Sequence, residues 1–130
     1  EQKMKIHHIG LWVSDLEASR RFYEYYFGGK CGERYENVTK GFASYMLSFE
    51  DGTALEIMTR IDVSCKAPDG ERLGWAHLAF TLGSELRVNE LVEVLRADGY
   101  CVVGEPRITG DGYYEAVILD NEGNRIEIVK

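Results

Sequence analysis

The chain has 130 residues, 45% of them hydrophobic and 28% charged, with a formal net charge of −7. That is enough chain for one compact domain with a real core, and the acidic balance argues against a nucleic-acid or anionic-membrane surface. No run approaches the roughly 18 apolar residues of a membrane span, and no signal-peptide pattern opens the chain.

Ile6–Val13 (IHHIGLWV) alternates like a half-buried strand, with Ile9, Leu11 and Val13 on one face and His8, Gly10 and Trp12 on the other. Ser14-Asp15-Leu16-Glu17 then fits a capping box, with Ser14 as N-cap and Glu17 at the third helical position. The helix it opens carries a stripe of Leu16, Phe22, Tyr23, Tyr26 and Phe27 and stops at Gly28-Gly29. Strands follow at Phe42–Phe49 and Ala54–Thr59, separated by the turn Glu50-Asp51-Gly52. Arg60–Gly74, with Pro68 and Asp69-Gly70, reads as a linker. Trp75–Leu82 is again an alternating strand. A helix over about Glu85–Asp98 has Val88, Leu91, Val92 and Leu95 as its stripe and Gly99 as its stop. Cys101–Val103 is a short strand, and Gly112–Lys130 is a hairpin turning at Asn121-Glu122-Gly123.

This is one module written twice. Lys40–Thr59 lies over Asp111–Lys130 without a gap, setting Gly41 on Gly112, Gly52 on Gly123 and Glu56 on Glu127. The expected architecture is therefore α+β, two tandem βαβββ modules about residues 4–60 and 75–130 of a single domain. Their mixed sheet curls into a trough with the helices outside. Glu1-Gln2-Lys3 precede a Met4 that reads as a natural start. Cys31, Cys65 and Cys101 are odd in number and lack CxxC spacing, as expected of reduced thiols in a cytoplasmic protein.

The repeat also pairs two histidines with the two carboxylates. His8 lies opposite Ile9, Leu11 and Val13, as His77 lies opposite Leu78, Phe80 and Leu82. The separations His8–Glu56 and His77–Glu127 differ by only two residues. His7 falls on the other side of its strand and reads as structural or exposed. A lone strand Glu is usually solvent-facing and a lone strand His is usually a satisfied histidine. Their recurrence at the same points of both modules favours a divalent metal, because imidazole nitrogen and carboxylate oxygen suit Zn, Ni, Co, Mn or Fe. An ion would also offset the penalty of holding Glu56 and Glu127 among isoleucines and leucines. Trp12, Phe42, Tyr113 and Tyr114 border the same trough and are either pocket walls or ordinary packing. No dinucleotide fingerprint or nucleophile motif is present.

The segments HHIGLWVSDLEASRRFYEYYFG, ALEIM, WAHLAF and DNEGNRIEIV resemble the vicinal-oxygen-chelate superfamily, the glyoxalase, bleomycin-resistance and dioxygenase group, over essentially the whole chain from Met4. The resemblance is nearest to short bacterial glyoxalase I, whose ligand order His, Glu, His, Glu falls on His8, Glu56, His77 and Glu127. It implies one divalent metal per site, nickel or zinc foremost with cobalt, manganese or iron as alternatives. It also implies a homodimer in which His8 and Glu56 of one subunit meet His77 and Glu127 of the other, although pairing within one chain is known in the superfamily.

The implied activity is a metal-dependent lyase turning a 2-oxoaldehyde hemithioacetal into a 2-hydroxyacyl thioester, with Glu127 as base and Glu56 as its counterpart. Other chelate chemistry, epimerisation or extradiol ring cleavage, and a metal-free drug-binding protein are the alternatives. Where glyoxalase I of this type carries an Arg and an Asn for the glutathione carboxylates, this chain has Trp12 and Arg60. Trp12 suggests a flatter or more apolar substrate, and Arg60 remains able to fork a carboxylate.

Overall fold

The computed structural model describes residues 3–64 and 73–130. Most of the linker expected from sequence, with Cys65, lies outside the described residues. The chain divides into two compact units, Glu1–Ala67 and Pro68–Lys130. The first contains β1 (His8–Trp12), α1 (Leu16–Phe27), β2 (Lys30–Cys31), β3 (Tyr35–Asn37), β4 (Phe42–Ser48) and β5 (Ala54–Arg60). Its sheet runs β1-β5-β4-β2, with β3 also paired to β4. The second contains β6 (Leu78–Thr81), α2 (Glu85–Ala97), β7 (Val102–Ile108), β8 (Tyr114–Leu119) and β9 (Arg125–Val129), in the order β6-β9-β8-β7. Each is an α+β unit of βαβββ type, with one parallel pair (β1/β5 and β6/β9) and antiparallel neighbours beyond it.

In each unit the helix covers one face of the sheet. In the first, α1 packs on β4 and β5, and Leu16, Phe22 and Tyr23 are buried along with Ala43, Tyr45, Leu47, Leu55 and Ile57. In the second, α2 packs on β7, β8 and β9, with Val88, Val92 and Leu95 buried along with Ala116, Ile118, Ile126 and Ile128. Each fully buried Leu or Ile among them contributes about 1.5–3 kcal/mol relative to an exposed position. Strand alternation sends the intervening residues to the opposite, open face, and that is where the chemistry lies. Among the described residues no helix is long and apolar enough to cross a membrane.

Several local expectations are corrected. The N-cap of α1 is Asp15, whose side chain accepts from the Ala18 backbone N–H at 3.0 Å, so the helix starts one residue later than a cap at Ser14 would set it. Glu17 is thereby released from a capping box. It accepts the Tyr45 hydroxyl at 2.7 Å and pairs with Arg34 at 2.7 Å and Arg20 at 3.2 Å, tying α1 to the sheet beneath it. The C-cap at Gly28 (φ 68°) is as the Gly-Gly pair implied, because a left-handed residue is needed there.

The first outer strand of each meander is longer and more broken than sequence suggested. In the first unit it is split into β2 and β3, and Gly32 between them donates its N–H to the Met46 carbonyl at 3.0 Å. In the second, β7 extends to Ile108 but shifts register on either side of Gly104, which pairs with Val117. Met46 and Val117 are equivalent in the repeat, so both units break their outer strand at a glycine opposite the same position. A bulge without side-chain bulk bends the strand there.

The Glu17 carboxyl is held below the usual carboxylate range, chiefly by the Tyr45 hydroxyl and further by Arg20 and Arg34. A carboxyl with a lowered folded-state pKa contributes stability that is present at neutral pH and lost as pH falls through that value. Tyr45→Phe is therefore expected to lower the thermal midpoint at pH 7, with the gap from wild type closing in acid. Melting curves between pH 7 and pH 3 check this, and a gap independent of pH would contradict it.

Candidate metal centre

The parallel strand pair of each unit places one histidine and one glutamate side by side on the open face. In the first, β1/β5 register sets Gly10 against Glu56, so His8 sits two residues back on the neighbouring strand and diagonal to the carboxylate. In the second, Ala79 stands against Glu127, and His77 lies two residues back in the same way, just ahead of β6. His8 Nε2 is 3.6 Å from Glu56 Oε1, and His77 Nε2 is 3.3 Å from Glu127 Oε2. Both imidazoles are 40% exposed, while the glutamates are more covered at 26% and 20%.

These separations exceed the usual N–H···O hydrogen-bond range. They are close to what a shared ion requires: two donors each about 2.1 Å from one metal, at angles between octahedral and tetrahedral, lie roughly 3.0–3.4 Å apart. The donor set therefore fits a divalent cation. Among the described residues no three His, Cys, Asp or Glu side chains converge as a ligand group; each unit brings two donors together.

Two neighbours were not singled out from sequence. His7, read as structural or exposed, is exposed and has its Nδ1 2.8 Å from His8 Nδ1, the rings meeting edge to face. For His8 Nε2 to offer a lone pair, its proton must sit on Nδ1, and His7 is placed to accept it. The second newcomer is Glu115 on β8. Burial pushes its carboxyl above the ordinary range, and Glu127 acts in the same direction through its charge and a hydrogen bond, while Arg107 across the β7/β8 pair opposes them. The repeat places Ser44 at the equivalent point of the first unit. The signal was available in sequence: a turn centred on Glu122 pairs Val117 with Glu127, which sets Glu115 on the same face.

Beyond His8 on the same face, Trp12 meets Phe42 edge-on at 6.2 Å, and Phe42 meets Tyr35 at 5.9 Å. The Arg60 guanidinium lies 4.9 Å from the Trp12 ring centroid, its Nε paired with Asp62. Tyr113, just ahead of β8, is exposed, and its backbone closes the β7/β8 hairpin with Thr109. Tyr114 is not on the open face. It alternates with Glu115 and turns to the helix side, where its hydroxyl donates to Asn89 of α2 at 2.5 Å.

A family model described as the Glyoxalase/Bleomycin resistance protein/Dioxygenase superfamily matches residues 5–128. The chain belongs to this superfamily. One relative is the "Uncharacterized protein YqjT" of Bacillus subtilis (strain 168), 32% identical over 129 residues that span 95% of this chain and 97% of that protein. Among solved structures, a possible glyoxalase from Bacillus cereus is 29% identical with a TM-score of 0.74, over 98% of this chain and 100% of the other. The trypanothione-dependent glyoxalase I of Leishmania major shares the fold at a TM-score of 0.78 and 22% identity, over 98% and 87% of the two chains. Divalent-metal binding is typical of the glyoxalase superfamily, in keeping with the donor pairs on the two open faces.

The Glu115 carboxyl also yields a test. Its raised pKa means that the folded state holds this proton more tightly than the unfolded chain. The associated stability is complete at low pH and falls as pH rises through the raised value. In metal-free protein, Glu115→Gln is expected to raise the thermal midpoint at pH 7 and to leave it unchanged near pH 4. A loss of stability at pH 7 would show that the ionised form is the favoured one.

Proposed function

We propose that this glyoxalase-superfamily chain is a metal-dependent, glyoxalase I-like lyase of the cytoplasm. It converts a 2-oxoaldehyde hemithioacetal into a 2-hydroxyacyl thioester. The carrying observation is the twice-built His–Glu pair, with the same diagonal placement and separations of 3.6 and 3.3 Å. On this reading each four-donor centre for nickel or zinc in a homodimer takes His8 and Glu56 from one protomer and His77 and Glu127 from the other. Membership of the superfamily and the 29% identity to a possible glyoxalase of Bacillus cereus support the reaction class. The thiol is left to the substrate grip, where Trp12, Phe42 and Arg60 stand on the open face beside His8 and Glu56 and Tyr113 stands at the edge of the other unit.

A divalent ion held by these four residues would act as a Lewis acid toward two adjacent substrate oxygens, a contribution of several kcal/mol. The proton movement belongs to the chain. Glu127 takes the proton from the carbon bearing sulfur, leaving an enediolate, and returns it to the neighbouring carbon, while the hydroxyl proton passes from the oxygen of the first carbon to that of the second. The change is an isomerisation, so no external oxidant or reductant is needed. Glu127 is preferred over Glu56 as base because Glu115 is beside it and can hydrogen-bond the carboxyl that has taken up the proton, whereas Ser44 stands beside Glu56.

Glu127→Gln is expected to lower kcat by at least ~100-fold, in the range for loss of a general base, while circular dichroism stays that of the wild type. Steady-state assays on methylglyoxal with several thiols read this out, and near-full turnover would remove Glu127 from the role. His7→Ala is expected to weaken nickel or zinc binding by about 10–100-fold, the usual effect of losing a residue that orients a metal-bound imidazole. Competition against a chromogenic chelator measures that, and unchanged affinity would make His7 a bystander.

A further inference from the structure

The face that carries His8 and Glu56 continues into a row of aromatics that the fold itself does not require. Trp12 is 41% exposed and Tyr35 56% exposed, with Phe42 half-buried between them. All three lie on the side of the sheet away from α1, where Tyr35 pairs with Ser44, Asn37 with Phe42 and Phe42 with Arg60. The second unit holds the same βαβββ arrangement with different residues there. Thr81 stands at the position of Trp12, and Arg107 opposite Glu115 replaces Tyr35 opposite Ser44. Only Phe42 keeps an aromatic counterpart, Tyr113, so Trp12 and Tyr35 belong to the site of this unit, since the module folds without them.

The Met58 side chain covers the floor between the donor pair and this row. Gly10 separates His8 from Trp12, and a Cβ added there would come within 3.1 Å of the Met58 methyl. Met58, paired with Trp12 in the strand register, thus fills the space a larger residue would take and leaves a low apolar step. At the far end Arg60 lies against the indole at 4.9 Å with its Nε engaged by Asp62. Its plane is held in place, and its two terminal nitrogens make no hydrogen bond among the described residues. A planar ring lying on Trp12 and Phe42 would meet apolar surface and π-faces, and an anion at its outer edge would meet a preset guanidinium.

We propose that this face is a subsite for an anionic arene: the substrate's flat aromatic group stacks at Trp12 and Phe42, and a carboxylate or comparable anion on that group is taken by Arg60. The inference rests on the reading above in one respect, that the substrate's two vicinal oxygens lie at the His8 and Glu56 end. Strand geometry makes the span suitable. Trp12 stands four positions on from His8 and Arg60 four on from Glu56, about 13 Å along each strand at ~3.3 Å per residue. That is room for a two-carbon chelating head, an aryl ring and a terminal anion.

Isothermal titration of the metal-free protein tests the subsite apart from the reaction. The probes are 2-naphthoate, its saturated counterpart decahydro-2-naphthoate, and uncharged 2-naphthylmethanol. Wild type is expected to bind 2-naphthoate about tenfold more tightly than either of the others, each lacking one of the two recognised features. Trp12→Ala should erase the advantage over the saturated acid, and Arg60→Gln the advantage over the alcohol. Equal binding of all three by wild type, or an unchanged preference in both variants, overturns the proposal.

The metal-loaded enzyme supplies the second arm, comparing hemithioacetals of 4-carboxyphenylglyoxal and methylglyoxal. Turnover of both without preference, together with no naphthoate selectivity, sinks the subsite and leaves the lyase standing. Naphthoate selectivity with turnover of neither sinks the lyase and leaves the subsite standing.

Discussion

A carboxylate on a strand whose alternate residues are fully buried needs a polar or cationic partner on its open side. In this protein that condition is met twice by the same geometry. A parallel pair of strands offsets His8 from Glu56, and another offsets His77 from Glu127, by one diagonal step on the face away from the helix. The parallel pairing matters because it brings the first and last strands of a module together, so residues some fifty positions apart become neighbours. The helix then needs only to cover the opposite face. Ile57 and Ile128, one residue past each glutamate, are fully buried, and they set the direction in which each carboxylate must point.

The two copies share this frame and differ in what supports it. In the first unit the added support falls on the imidazole, through His7 at 2.8 Å from His8. In the second it falls on the carboxylate, where Glu115 shares Glu127's face and is itself pushed toward its neutral form. The equivalent positions are Ala76 for His7 and Ser44 for Glu115, so neither support is inherited from the repeat. A duplicated module gives a symmetric set of donors, and substitutions around it set an imidazole partner at one end and a carboxyl partner at the other. The aromatic row against Trp12 follows the same logic, since Trp12 and Tyr35 give way to Thr81 and Arg107 in the second unit while Phe42 is matched by Tyr113.

Much of this was legible before any coordinates. The ungapped match of Lys40–Thr59 to Asp111–Lys130 carried the βαβββ repeat, the turns, and the equivalence of Glu56 and Glu127. Simple alternation separated His8 from His7 and faced it away from the core. The misses have physical causes. Ser14 and Asp15 are both good caps, and which of them closes the helix depended on whether Glu17 was drawn off to Tyr45 and Arg34, a contact from another strand. Sequence leaves Tyr114 between pocket wall and ordinary packing, because no alternation count shows that Asn89 of a helix waits for its hydroxyl. The broken outer strand escaped notice because Gly32 and Gly104 look like loop glycines until the strand opposite them is known.

The sequence by itself determined which residues repeat, which face of each strand is apolar, and hence which side chains are available for chemistry. Those are consequences of local period and composition, and they do not depend on what packs where. The tertiary structure alone decided the distances: 3.6 and 3.3 Å between imidazole and carboxylate, and Arg60 laid against Trp12. Each of these joins strands far apart in the chain. The register that brings them together is set by the sum of many backbone hydrogen bonds and one buried face, and no short stretch of sequence contains that sum.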